Sequence, residues 1–180
     1  MKRFLNYKWL VPTVLVLMGV GSWLFFSAKY QIDPQQGDPF ENIVAPDVSH
    51  QPVSLYDTQN DQLMLVQFWA SWCGPCLREL PELKAVHQKF QNTAFKNGKG
   101  FGVMMFSVDH DTLKWNAAIQ RFDMEHLIHV NERSAFKSPT AQRLGVNSIP
   151  TNVLIDPQHR VIGVDLDMHE LEKTLERFAK

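Results

Sequence analysis

The sequence predicts an α/β fold, with a parallel-containing sheet covered by helices and an N-terminal membrane-spanning helix ahead of it. Three observations predict it. Short apolar runs rich in β-formers alternate with stretches whose apolar residues recur every three or four positions. The runs are apolar on both faces rather than alternating, as expected of strands covered on both sides. The first 26 residues carry Lys2, Arg3 and Lys8 and no acid, and within them Trp9 to Phe26 is uncharged over 18 residues.

Leu63 to Trp69 is the first buried strand, apolar apart from Gln67. From Pro75 the pattern turns helical through Leu77, Leu80, Leu83, Val86 and Phe90. Gly100 to Val108 reads as a second strand, and Met64, Met104 and Met105 as core strand residues rather than a copper site. Leu113 to Phe122 and Ser134 to Leu144 read as helices, the latter stopped by Gly145 at the position after its end. Thr151 to Ile155 and Arg160 to Val164 form strands around the Asp156-Pro157 turn, and His169 to Phe178 closes as an amphipathic helix.

The 180 residues are enough for one domain with an appendage, and 44% apolar with 11% aromatic residues can fill a core. A net charge of −1 leaves no basic excess for nucleic acid. The charge is uneven, +3 over residues 1–26 and −4 over the remainder. As a helix, the uncharged stretch would run roughly 27 Å, about the thickness of a hydrocarbon core. Aromatics stand near both of its ends, and Pro12 lies in its first turn, where a missing N–H does little harm. Basic residues before it place the N-terminus in the cytoplasm and the body across the membrane. The expected organisation is an anchor over 1–28, a Pro- and Gly-containing linker over 29–46 and a globular domain over 47–180. A cleaved signal peptide is the rival reading of the start. Apolar residues continue past Val20-Gly21-Ser22 through Phe26, which favours an uncleaved anchor.

The chemistry points to Trp72-Cys73-Gly74-Pro75-Cys76, where a strand ends and a helix begins. A thiol at a helix N-terminus meets unpaired N–H groups and the positive end of the macrodipole, and both favour the thiolate. Cys73 is expected to be the exposed attacking thiol. Cys76, one turn in, would resolve the mixed disulfide. Gly74 and Pro75 are expected to make the tight turn, with Pro75 at an early helical position where it costs little. A structural staple is disfavoured, because so small a ring removes little unfolded-state entropy. Zinc needs four ligands. His126 and His129 could join the thiols, but they read more simply as surface or edge residues. Ile149-Pro150-Thr151 admits two readings: a turn proline after Gly145, or a cis proline facing the dithiol and offering backbone to an extended substrate.

Phe68-Trp69-Ala70-Ser71-Trp72-Cys73-Gly74-Pro75-Cys76 with Ile149-Pro150-Thr151 resembles the thioredoxin superfamily. Its membrane-anchored bacterial branch of TlpA, ResA and DsbE-like proteins is the best fit. Ala45-Pro46-Asp47, Pro52 to Leu55, Pro81, Ser107-Val108-Asp109 and Leu154-Ile155-Asp156 support the resemblance, which covers about residues 45–180. It implies a thioredoxin fold, a central mixed β-sheet flanked by helices, with a β-α insertion within residues 91–130. It implies a cis Pro150, with Trp72, Gly74, Pro75, Ile149 and Pro150 at the substrate. Glu79 matches an acid near the dithiol in ResA-like proteins and would relay protons; the alternative is a solvated first-turn glutamate favouring the helix dipole. Many thioredoxins carry a buried aspartate where Gln67 stands. Gln67 cannot take a proton, and its simplest role is to satisfy buried hydrogen bonds.

The resemblance implies an enzyme that exchanges disulfides with protein substrates, as a reductant and in cytochrome c maturation, fed by a membrane thiol-transfer donor. It implies no cofactor or metal. The expected location is the bacterial inner membrane, single-pass through residues 9–26, with the catalytic domain facing the periplasm or cell exterior. The alternatives are a copper or apoprotein carrier that uses the thiols as ligands, and a thiol peroxidase, for which no peroxide-activating arrangement is evident.

Overall fold

The computed structural model describes residues 34–180. The anchor assigned to residues 1–28 lies outside the described residues, as does the start of the linker. No helix among the described residues is long and apolar enough to cross a membrane.

Five strands form the central sheet in the order β7-β6-β3-β8-β9. They are β3 (Leu63–Trp69), β6 (Phe101–Ser107), β7 (Ile128–Asn131), β8 (Thr151–Ile155) and β9 (Val161–Val164). β6 runs parallel to β3 and to β7, whereas β8 runs antiparallel to β3 and to β9, so the sheet is mixed. All residues of β3, β6 and β8 are buried, which explains their near-continuous apolar sequences. Met64, Met104 and Met105 are fully covered, as core residues should be.

Helix α2 (Gly74–Phe90) buries Cys76, Leu80, Leu83, Val86, His87 and Phe90. Pro81 lies inside it, on the exposed side. It removes one ladder hydrogen bond where water can reach the freed carbonyl. Helix α3 (Thr112–Arg121) is capped by Asp111, whose carboxylate accepts from the N–H groups of Leu113 and Lys114. Helix α5 (Met168–Phe178) is capped in the same way by Asp167 and packs on α2. The span 91–130, expected to hold the insertion, contains the β4–β5 hairpin (Ala94–Phe95, Gly98–Lys99), β6, α3 and most of β7.

Two expectations are corrected. The helix expected over Ser134 to Leu144 is two pieces, a 3-10 turn at Ala135–Lys137 and α4 at Pro139–Arg143. Pro139 disfavours helical backbone at Ser138, which is extended at φ −60 and ψ 140 and caps α4 through the Ala141 N–H. The linker also stops being loose earlier than residue 46. Gly37 and Phe40 donate to the carbonyls of Val161 and His159, and Phe40, Ile43 and Ala45 are core residues. β1 (Val44–Pro46) then pairs with β2 (Pro52–Ser54), and α1 (Leu55–Gln59) follows. Apolar side chains spaced among prolines gave no periodic signal, yet they bury enough surface to fix the chain.

Candidate active site

The site forms at the C-terminal end of β3. Cys73 donates its N–H to Ala70 O at 3.0 Å, closing a turn directly after the strand. Helix α2 starts at Gly74, with Cys73 as its N-cap. The turn is therefore Ala70–Cys73, so Gly74 is already helical rather than part of the turn, while Pro75 stands at the early helical position expected of it. Gly74 is not sterically demanded: a Cβ there would meet only the Arg78 guanidinium, at 3.6 Å.

Cys73 and Cys76 are joined by a disulfide. Cys73 Sγ also accepts the backbone N–H of Cys76 at 3.2 Å, so the first sulfur occupies the place a capping side-chain oxygen would take. Cys73 is 4% exposed and Cys76 2%, so in this oxidised state Cys73 is not the exposed group expected of it. Capping turns its sulfur over the helix end rather than out to solvent. The exposed member is Trp72, at 60%.

Ile149–Pro150 is a cis peptide. Thr151 pairs with Phe68, one residue before the end of β3, which brings Ile149 and Pro150 to the dithiol's end of the sheet. Both are half-buried.

Glu79 sits in the second turn of α2 and is half-buried, so it is not the solvated first-turn acid of the alternative reading. Burial raises its pKa above the ordinary glutamate value. Glu82 and Asp167 push the same way, and Arg78 opposes them. Gln67, 3% exposed, leaves its Oε1 buried without a hydrogen-bond partner, so the satisfied amide expected there is only partly realised.

Beneath the active-site turn lies an arrangement that the sequence pattern did not single out as functional. Asp109, 1% exposed, accepts the Ser71 N–H at 2.9 Å and the Ser71 hydroxyl at 2.7 Å. Ser107 donates its hydroxyl to the same carboxylate at 2.8 Å and accepts from the N–H of Asp109 and from Asn131 Nδ2. The available signal was a carboxylate placed directly after an apolar strand, where a bare charge would be costly.

The histidines divide. His126 is exposed, whereas His129, on edge strand β7, is 7% exposed rather than a surface group. Its Nε2 meets Met124 O at 2.8 Å and its Nδ1 is buried without a partner. Burial lowers its pKa to about 4. His126 lies ring to ring with His87, centroids 5.6 Å apart. No group of three or more His, Cys, Asp or Glu side chains among the described residues is placed to hold a metal ion.

The thioredoxin-like family model matches residues 60–161, more than half the chain, and spans both the dithiol and the cis proline. The chain belongs to the thioredoxin-like family. Among curated relatives, the thiol-disulfide oxidoreductase ResA of Bacillus cereus is 21% identical over 172 residues, covering 94% of this chain and 92% of its own length. The thioredoxin-like protein YneN of Bacillus subtilis is 23% identical over 165 residues, covering 90% and 89%. Among solved structures, a thiol-disulfide oxidoreductase from Bacteroides fragilis superposes with a TM-score of 0.68 at 25% identity, covering 78% of this chain and 98% of that one. The thioredoxin domain of a thiol-disulfide oxidoreductase from Bacteroides vulgatus superposes at 0.71 with 23% identity, covering 81% and 99%. This thioredoxin-like chain is a ResA-like member of the superfamily and a protein-disulfide oxidoreductase, its dithiol set at a helix N-terminus as the chemistry requires.

Proposed function

We propose that the protein is a membrane-tethered, extracytoplasmic reductant of protein disulfides. The observation that carries the reading is the place of the disulfide: at the start of α2, capped by the Cys76 N–H, beside an exposed Trp72. In the reduced chain the helix end and that N–H favour the Cys73 thiolate. The thiolate attacks one sulfur of a substrate disulfide, and the other substrate sulfur leaves as a thiolate that takes up a proton. Cys76, as thiolate, then attacks Cys73 Sγ, and the second substrate sulfur leaves. The chain ends with the Cys73–Cys76 disulfide, the state of this structure, having given up two electrons. A dithiol donor must restore them, and a membrane thiol-transfer protein fits a tethered domain. Ile149 and Pro150 offer backbone to the substrate strand, Trp72 covers it, and Glu79, whose pKa is raised chiefly by burial, supplies or takes a proton.

The anchor through residues 9–26 and the basic residues before it support placement in the bacterial inner membrane, with this domain outside the cytoplasm. Apocytochrome c is the first substrate to test. Trapping tests the reading: Cys76→Ala, expressed with the anchor intact, is expected to hold substrates on Cys73 as mixed disulfides that mass spectrometry identifies. An absence of adducts in an envelope fraction rich in disulfides sinks it.

A further inference from the structure

Helix α3 turns one face toward the dithiol. Lys114, Ala117, Ala118 and Arg121 recur at spacings of three and four, and with Trp72, Leu77 and Phe122 they enclose a groove of about 260 Å³. The two alanines keep the α3 side of the groove low, Leu77 and Phe122 make it apolar, and the exposed indole of Trp72 walls it beside Cys73. A cation stands toward each end of the α3 face. Arg121 lies over the Phe122 ring at 5.4 Å, and no carboxylate among the described residues comes within 4 Å of it. Among the described residues Lys114 pairs only with Asp111, at 3.7 Å, and the pair is too exposed to quench its field. Arg78 adds a third cation, its guanidinium against Gly74 between the two cysteines. Asp123, beside Phe122, is exposed, but Lys84, 3.9 Å from it and donating to Phe122 O at 2.8 Å, is a further cation on this side and offsets its charge. The carboxylates that act on Glu79, namely Glu82 and Asp167, belong to the opposite flank of α2, where α5 packs. The surface around the dithiol is thus polarised, basic on the α3 side and acidic on the α5 side.

We propose that the Trp72 groove receives an extended substrate segment bearing carboxylates within a few residues of its reacting cysteine, with Lys114 and Arg121 as specificity-determining residues. This rests on the disulfide-exchange reading above and names the substrate class. Complementary charge at a rim acts mainly on the rate of encounter and on partner choice.

The test uses the full chain, reduced beforehand, in single-turnover reaction with three synthetic peptides of one sequence. Each peptide contains one disulfide, and its flanking residues are Glu, Gln or Lys. Each rate is divided by that of dithiothreitol on the same peptide, which removes the effect of flanking charge on the disulfide itself. At about 20 mM salt the Glu peptide is expected to react about three- to tenfold faster than the Gln peptide, and the Lys peptide slowest. The spread should collapse at about 0.5 M salt, where the Debye length is near 4 Å. The double variant K114E/R121E should invert the order, and K114R/R121K should keep it. Equal normalised rates for the wild-type chain overturn the inference, as does an order that survives high salt or the charge reversal. The wild-type order and its salt dependence decide even if a variant fails to fold. If dithiothreitol opens all three peptides and the chain none, the disulfide-exchange reading itself falls.

Discussion

Asp109 receives both the backbone N–H and the hydroxyl of Ser71, at 2.9 and 2.7 Å, two residues before Cys73. The strand end of β6 thereby holds the turn that aims the dithiol. Asp109→Ala would leave the Ser71 groups and the Ser107 hydroxyl without their acceptor in a buried site. It is expected to cost about 2–4 kcal/mol in chemical denaturation of the oxidised protein. Asp109→Asn keeps one acceptor oxygen and should cost about half as much. If the carboxylate positions the turn, Asp109→Asn also slows exchange with a protein disulfide under conditions where the variant is fully folded. An Ala variant as stable as the wild type would remove the basis for this role.

Gln67 gives the opposite expectation. Its Oε1 is buried with no partner, so the amide already bears part of the cost of desolvation. Gln67→Met keeps length and roughly volume while removing the polar atoms. Its unfolding free energy is expected to match the wild type within about 1 kcal/mol, or to exceed it. A loss well beyond that would reveal hydrogen bonding that Gln67 satisfies by other means.

Much of this was legible in the sequence because the signals were local. Burial on both faces made β3, β6 and β8 readable from apolar runs, and the three-four spacing from Leu80 to Phe90 fixed the core face of α2. Cys73 and Cys76 were placed by the strand-to-helix switch on either side of them. What escaped was non-local. Asp109 and Ser71 are 38 residues apart, and only the parallel pairing of β3 with β6 brings them together. The docking of Gly37 and Phe40 depends on β9 and the turn before it, and Ile43 accepts from the Leu55 N–H, which no pattern within 29–46 reveals. The burial of Cys73 followed from cap geometry, in which its sulfur accepts the Cys76 N–H. The break at Ser138 was local, and Pro139 announced it.

Glu79 supplies a pH-dependent prediction whose sign follows from its surroundings. Its folded-state pKa is raised, so the folded chain binds a proton more readily than the unfolded chain. Stability from this group is present at low pH and is lost as pH rises through the folded value. Glu79→Gln, fixed in an uncharged form, is therefore expected to raise the melting temperature relative to the wild type at pH 7, and to raise it less at pH 4. The same variant should flatten the acid limb of the pH–rate profile for exchange if the carboxyl handles protons. An equal change in melting temperature at both pH values would contradict the burial argument.

His129 titrates in the opposite sense and should dominate acid sensitivity. Met124 O can only accept, so Nε2 of His129 carries the proton and Nδ1 is left bare in an apolar setting beside the Trp69 ring. Protonating Nδ1 would bury a charge and an unpartnered donor. His126 disfavours that charge, while Glu125 slightly favours it. The pKa falls from 6.5 to about 4, so between those values the unfolded chain is protonated and the folded chain is not. Stability is then full above about pH 6.5 and is lost as pH falls toward about 4, by about 3 kcal/mol in all. His87, lowered chiefly by burial and also by His126, adds to the loss in the same direction. His129→Gln removes the titration and keeps a group able to donate to Met124 O. Denaturation midpoints measured from pH 7.5 to 4 should fall steeply for the wild type and markedly less for the variant. Parallel curves would mean that the buried imidazole takes up its proton without penalty.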